Sequence, residues 1–98
     1  MTIQDRYAAA YAIKDPVKRS IAQAILEQER YVENYTAKIN HVREQIVYRA
    51  AFPNSASYAD SIEGLIHTWR AAYTRLEQAE STLQLLNQVQ NTQHDDNP

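Results

Sequence analysis

Two histidines and two glutamates are the only side chains of this sequence whose spacing resembles a metal or acid–base site. His41 and Glu44 are three residues apart, and Glu63 and His67 are four apart, which are spacings that place side chains on one face of a helix. Imidazole and carboxylate groups of this kind bind zinc. The periodicity of the flanking helices, however, puts all four on outer positions, so we predict no metal and leave His41 and His67 as the remaining candidates.

The rest of the sequence offers little catalytic chemistry. It contains one glycine and no cysteine, which excludes a glycine-rich phosphate loop, a thiol nucleophile and a thiolate zinc site. The histidine positions do not fit a Ser-His-Asp arrangement, and a two- or three-helix chain of this size seldom encloses a pocket. We therefore predict that the chain is not an enzyme and carries no cofactor.

A basic cluster at the predicted junction of the first two helices is a candidate anion site. Lys14, Lys18 and Arg19 lie where a helix begins, and the amides at a helix N-terminus attract anions. Solubility alone also accounts for exposed basic residues. The cluster supports an alternative function, an oligomeric binder of a small anionic ligand such as a nucleotide, in which tyrosine rings would stack on the base.

Aromatic side chains with a polar edge dominate, because the sequence has seven tyrosines and one tryptophan but only one phenylalanine. Tyrosine, tryptophan and arginine are enriched at protein-binding hot spots. We predict that a protein partner binds a Tyr/Arg-rich helical face made of Arg30, Tyr31, Tyr48, Arg49, Arg70 and Tyr73. For Tyr73, together with Tyr7 and Tyr11, the alternative is the core of a three-helix bundle.

Proline and polar residues divide the chain into three predicted helices. Thr2 and Asp5 form a capping-box pattern, and Asp15-Pro16 ends the first helix and begins the second. The segment 52–57 is the only clear interior turn. The predicted helices span 3–14, 16–51 and 57–90 within a single domain of residues 1–90, and residues 91–98 form a disordered polar tail.

Apolar residues follow heptad spacing along both long predicted helices. The stripe of the second helix comprises Ile21, Ile25, Val32, Tyr35, Ile39, Val42 and Ile46, and that of the third comprises Tyr58, Ile62, Leu65, Trp69, Ala72, Leu76, Ala79, Leu83 and Leu86. Because a short turn joins these helices, we predict an all-α fold in which a short N-terminal helix precedes a long antiparallel two-helix hairpin.

Beside these stripes stand apolar residues that one antiparallel pairing cannot all cover. They are Leu26, Val47, Ile66, Leu85 and Val89. Exposed apolar surface of this kind marks interfaces, so we predict a homo-oligomer, with a dimer favoured and a four-helix bundle as one form.

Composition and charge limit the partners and the cellular location that can be expected for the chain. The net charge is −2, with a mild basic excess in the first half and an acidic excess in the second, so a nucleic-acid partner is not expected. No window approaches the roughly 18 continuous apolar residues of a membrane span. We expect a cytoplasmic location without membrane contact.

The predicted function is a non-enzymatic helical protein-interaction module, acting as an inhibitor, adaptor or assembly subunit. The length and the hairpin resemble the small secretion-system substrates of the WXG type, but the turn contains no Trp-x-Gly and Trp69 lies inside the third predicted helix. This resemblance implies no site residues, since the motif that defines the family is missing. Small helical inhibitors of phages and other mobile elements have a similar size.

Overall fold

A computed structural model describes the backbone of residues 1–51 and 58–95 and the side chains of residues 1–51 and 62–92. It contains three helices, α1 (Ile3–Tyr11), α2 (Pro16–Ala50) and α3 (Tyr58–Asp95), and the described residues form no strand. The two long helices pack against each other. The predicted all-α fold, with a short helix before a two-helix hairpin, is confirmed, and the predicted turn at 52–57 lies outside the described residues.

The chain divides into two compact units. Unit 1 comprises Met1–Tyr31 and Ala79–Pro98, and unit 2 comprises Val32–Gln78. Each unit therefore joins one half of α2 to the opposite half of α3, as antiparallel pairing requires. Unit 1 also contains α1, whereas unit 2 has only two helices in its described part.

The start of α1 has the predicted capping box. The Thr2 hydroxyl accepts a hydrogen bond from the Asp5 amide at 3.1 Å, and the Thr2 amide donates to the Asp5 carboxylate at 3.0 Å. Hydrogen bonds from the Thr2 backbone and, second, from its side chain hold the pKa of Asp5 below the ordinary value of 3.8. The capping box thus satisfies two of the amide donors that a helix start leaves without partners.

The connection between α1 and α2 makes α1 shorter than predicted. The helix ends at Tyr11 rather than at residue 14, because the chain must leave the α conformation before Pro16 to reverse direction. Asp15 then caps α2, and its Oδ1 accepts from the amides of Val17 at 2.9 Å and Lys18 at 3.3 Å. Asp15 and Pro16 therefore act as predicted, while the preceding residues form the connection.

The C-terminal end of α3 lies further along the chain than predicted. The helix continues to Asp95, five residues beyond the predicted end at Gln90. The polar residues after Gln90 include no glycine or proline before Pro98, so no residue that ends helices stops α3 at Gln90. The structure describes none of the residues 96–98 of the predicted tail.

Burial follows the predicted heptad stripes. Every described stripe residue of α3 from Ile62 to Leu86 is buried or half-buried, and so is every stripe residue of α2 from Ile21 to Ile46. The fully buried set is nevertheless small: it consists of Ala10, Ile25, Leu26, Val42, Ala72 and Ala79. Three of these six are alanines, so most of the large stripe residues keep part of their surface in contact with solvent.

Within residues 1–51 and 58–95, no helix combines the length and the apolar character needed to cross a membrane.

The single glycine, Gly64 in α3, lies in open space and has no close backbone neighbour from another helix. A Cβ added at Gly64 would meet no atom within 4 Å. Glycine in a helix interior is about 0.5 to 1 kcal/mol less favourable than alanine, since it loses more backbone entropy on folding.

We expect Gly64→Ala to raise the free energy of unfolding by about 0.5 to 1 kcal/mol, because it gains helix propensity without a clash. Urea denaturation followed by circular dichroism would measure the change. A loss of stability would mean that Gly64 has a packing partner that its surroundings do not reveal.

Candidate functional site

In unit 1, α1 folds back over the first half of α2. Ala10 and Leu26 are both buried, and they line a groove of about 530 Å³ together with residues of all three helices. The other lining residues are Met1, Arg6, Ala9, Ile13, Ala22, Ile25, Glu29, Asn87 and Gln90. Small alanine side chains on both helices allow this close approach, and the remaining space has an apolar floor and polar walls.

An ion pair connects α1 and α2 at this groove. The Arg6 guanidinium lies 2.6 Å from the Glu29 carboxylate, and both side chains are partly exposed. Exposed ion pairs contribute about 0 to 1 kcal/mol, so the pair fixes position more than it adds stability. Sequence reasoning missed it, although the Asp15-Pro16 boundary was the signal, since a chain reversal there brings α1 alongside the first half of α2.

The helix N-terminus beside the basic cluster at the α1–α2 junction already has an internal partner. The Asp15 carboxylate occupies the place at the helix N-terminus where an anion would bind. Arg19 Nη1 donates to the Ile13 carbonyl oxygen at 3.4 Å, while Lys14 is exposed and Lys18 half-buried. The amides that motivated the anion site therefore have an internal partner, and the site stays a prediction without support from this geometry.

The histidine and glutamate constellation does not form a metal site in the described part of the chain. His41, Glu44, Glu63 and His67 are all exposed. Among the described residues, no group of three or more His, Asp or Glu side chains could hold a metal ion. A zinc ion needs about four such ligands converging on one point.

The predicted partner-binding residues are all exposed, but they are distributed between the two units. Arg30 and Tyr31 belong to unit 1, whereas Tyr48, Arg49, Arg70 and Tyr73 belong to unit 2. Tyr31 also donates a hydrogen bond to Glu27 at 3.0 Å. The six residues therefore do not form one described surface.

The aromatic residues of unit 2 include a ring pair on α3. The ring centroids of Trp69 and Tyr73 are 5.4 Å apart, with the planes tilted by 32°, which is a favourable aromatic geometry. Tyr73 keeps 45% of its surface exposed. The alternative in which Tyr7, Tyr11 and Tyr73 form a bundle core is wrong for Tyr11 and Tyr73, both of which are exposed. On α1 the buried residue is Ala10, the neighbour of Tyr11.

The apolar residues predicted to remain uncovered differ in their exposure. Val47, Leu85 and Val89 are exposed and Ile66 is half-buried. The expectation is wrong for Leu26, which is only 5% exposed, because α1 covers it. Leu85 and Val89 belong to unit 1, and Val47 and Ile66 to unit 2, so these residues do not make one described interface.

Comparison with known proteins identifies no relative of this chain. No protein-family model, no curated protein and no solved structure matches the chain.

Proposed function

We propose that this chain is a non-enzymatic helical module that binds a protein partner, as an inhibitor, adaptor or assembly subunit. The end of α2 in unit 2 carries the contact surface, made of Val47, Tyr48 and Arg49. A protein partner suits this surface because it combines an apolar side chain, an aromatic ring with a polar edge and a guanidinium group.

The single observation that supports this proposal most is the exposure of two adjacent large side chains. Val47 and Tyr48 are each 65% exposed, more than any other large hydrophobic residue described in α2 or α3. Arg49 beside them is also exposed. Tyrosine and arginine are the residue types that most often carry binding energy at interfaces.

The local geometry favours a macromolecule over a small ligand at this surface. A small ligand is usually held in a concave pocket, whereas Val47, Tyr48 and Arg49 are all exposed. The groove of unit 1 lies between α1, α2 and α3 and includes none of these three residues. The nucleotide alternative therefore gains no observation from the described residues.

Affinity capture from a lysate of the natural host tests the proposal. The immobilised wild-type chain should retain one host protein, and Tyr48→Ala combined with Arg49→Ala should lower its recovery at least about tenfold, as expected for hot-spot residues. Quantitative mass spectrometry of the eluates would measure the recovery.

Tyr11→Ala is the matched control, because Tyr11 is a tyrosine of nearly equal exposure, 66%, in a different helix. Its eluate should equal that of the wild type. The proposal fails when the wild type retains no protein, or when the Tyr48 and Arg49 variant retains the same protein equally well.

A further inference from the structure

The docking of α1 in unit 1 buries little apolar surface of its own. Ala10 is the only buried residue of this helix. The larger apolar side chains remain in contact with water, since Ile3 is 48% and Tyr11 66% exposed and Tyr7 is half-buried. Burial of apolar area is what chiefly stabilises helix packing, and one alanine contributes only a small share.

The two long helices of the same unit are held together by a longer row of side chains. Their stripe residues within unit 1 are all buried or half-buried, and they are Ile21, Ile25, Ala79, Leu83 and Leu86. Leu26 beside them is 5% exposed. Local opening of a protein starts where buried apolar contacts are fewest, and in unit 1 that place is α1.

The polar contacts between the α1 side and α2 are weak as well. Arg6 and Glu29 form an ion pair at 2.6 Å, but both side chains are partly exposed, so water and salt screen their attraction. Arg19 Nη1 donates to the Ile13 carbonyl oxygen at 3.4 Å, which is long for a hydrogen bond of this type. Neither contact would hold α1 in place by itself.

The first turn of α2 does not need α1 to remain folded. Asp15 Oδ1 accepts from the amides of Val17 at 2.9 Å and Lys18 at 3.3 Å, and the Asp15 carbonyl oxygen accepts from the Arg19 amide at 2.9 Å. These bonds lie within α2 and its own cap, so they persist when α1 moves away. The departure of α1 therefore leaves the start of α2 intact.

We propose that α1 is a strap that opens while α2 and α3 of unit 1 remain paired. In the closed form it lies over Leu26 and forms one side of the groove. In the open form Ile25 and Leu26 are accessible from solvent, so α1 controls access to the apolar surface of this unit. The strap belongs to unit 1, whereas the proposed protein-binding surface belongs to unit 2, so the two proposals can fail separately.

Labelling of a single introduced thiol tests the strap, because the chain has no cysteine of its own. Ala10→Cys places the thiol on the buried side of α1, and Ala79→Cys places it in the hairpin. The two positions are matched, since both are alanines of 4% exposure in unit 1. At urea concentrations below the unfolding transition, iodoacetamide should modify the Ala10→Cys variant at least about tenfold faster, as measured by mass spectrometry.

Reversal of one charge identifies the opening that the label detects. Arg6→Glu sets two carboxylates against each other in place of the ion pair. It should accelerate labelling of the Ala10→Cys variant about threefold or more and leave that of the Ala79→Cys variant unchanged. Adding Glu29→Arg restores opposite charges in exchanged positions and should return the rate towards its original value. Circular dichroism would verify that every variant stays helical.

Equal labelling rates at the two alanines would overturn the inference, since α1 would then leave only when the whole unit unfolds. The same holds when Arg6→Glu accelerates both thiols equally or accelerates neither. Ala72→Cys, at a position of 2% exposure in the hairpin of unit 2, is the reference in case the Ala79→Cys variant does not fold. Labelling of that thiol should also be at least about tenfold slower than at Ala10.

Discussion

Leu26→Ala is expected to lower the free energy of unfolding by about 2 to 5 kcal/mol, the range for a leucine removed from a buried site. Leu26 is covered by α1 and borders the groove of unit 1, so its loss leaves an enlarged cavity beneath Ala10. A domain of this size has about 5 to 15 kcal/mol of total stability. The variant should therefore be close to its unfolding midpoint at moderate urea concentrations.

Leu85→Ala provides the comparison, because Leu85 is the same residue type at 61% exposure within the same unit. Its stability should change by no more than about 0.5 kcal/mol. Urea denaturation of both variants measures the difference. Equal losses at the two positions would show that α1 does not cover Leu26 in solution.

Ala72→Leu should lower the free energy of unfolding by about 1 to 3 kcal/mol, because a larger side chain at a tightly packed position forces its neighbours apart. Ala72 is 2% exposed, the most buried residue among the described side chains. Its small size lets α2 and α3 approach closely in unit 2. Thermal and urea denaturation would both detect the loss.

The neighbouring Ala71 separates packing from helix propensity. Ala71 is exposed, so Ala71→Leu makes the same change of side chain on the same helix without contact to α2. Its stability should stay within about 0.5 kcal/mol of the wild type. If Ala72→Leu also left the free energy of unfolding unchanged, α2 and α3 would have to be packed less tightly at Ala72 than its burial indicates.

The sequence predicts the hairpin well because its helices repeat one simple signal. Every residue of the step pattern from Ile62 to Leu86 is buried or half-buried in α3, since heptad spacing and burial have the same geometric cause. The Asp15-Pro16 boundary was equally readable from backbone sterics. Ends without a proline, such as that of α3, depend on many weak contributions and were predicted less accurately.

The burial of Leu26 could not be read from the sequence in this way. Its coverage depends on where α1 lies, and the heptad pattern of α2 contains no information about a third helix. The ion pair of Arg6 and Glu29 also depends on where α1 lies, but for this pair the Asp15-Pro16 boundary gave a signal in the sequence. The exposure of Tyr48 and Arg49 was predicted, because they stand beside the stripe rather than within it, but exposure alone does not name what binds there.

The short length of α1 has a consequence for how unit 1 opens. A helix of nine residues is not stable alone, because nucleation costs more than so few hydrogen bonds return. Helix formation in α1 and its docking on Leu26 are therefore a single event, and undocking is a local melting rather than a hinge motion. Amide hydrogen exchange along Ile3–Tyr11 reports the free energy of that event, and each opening exposes the apolar floor of the groove to water.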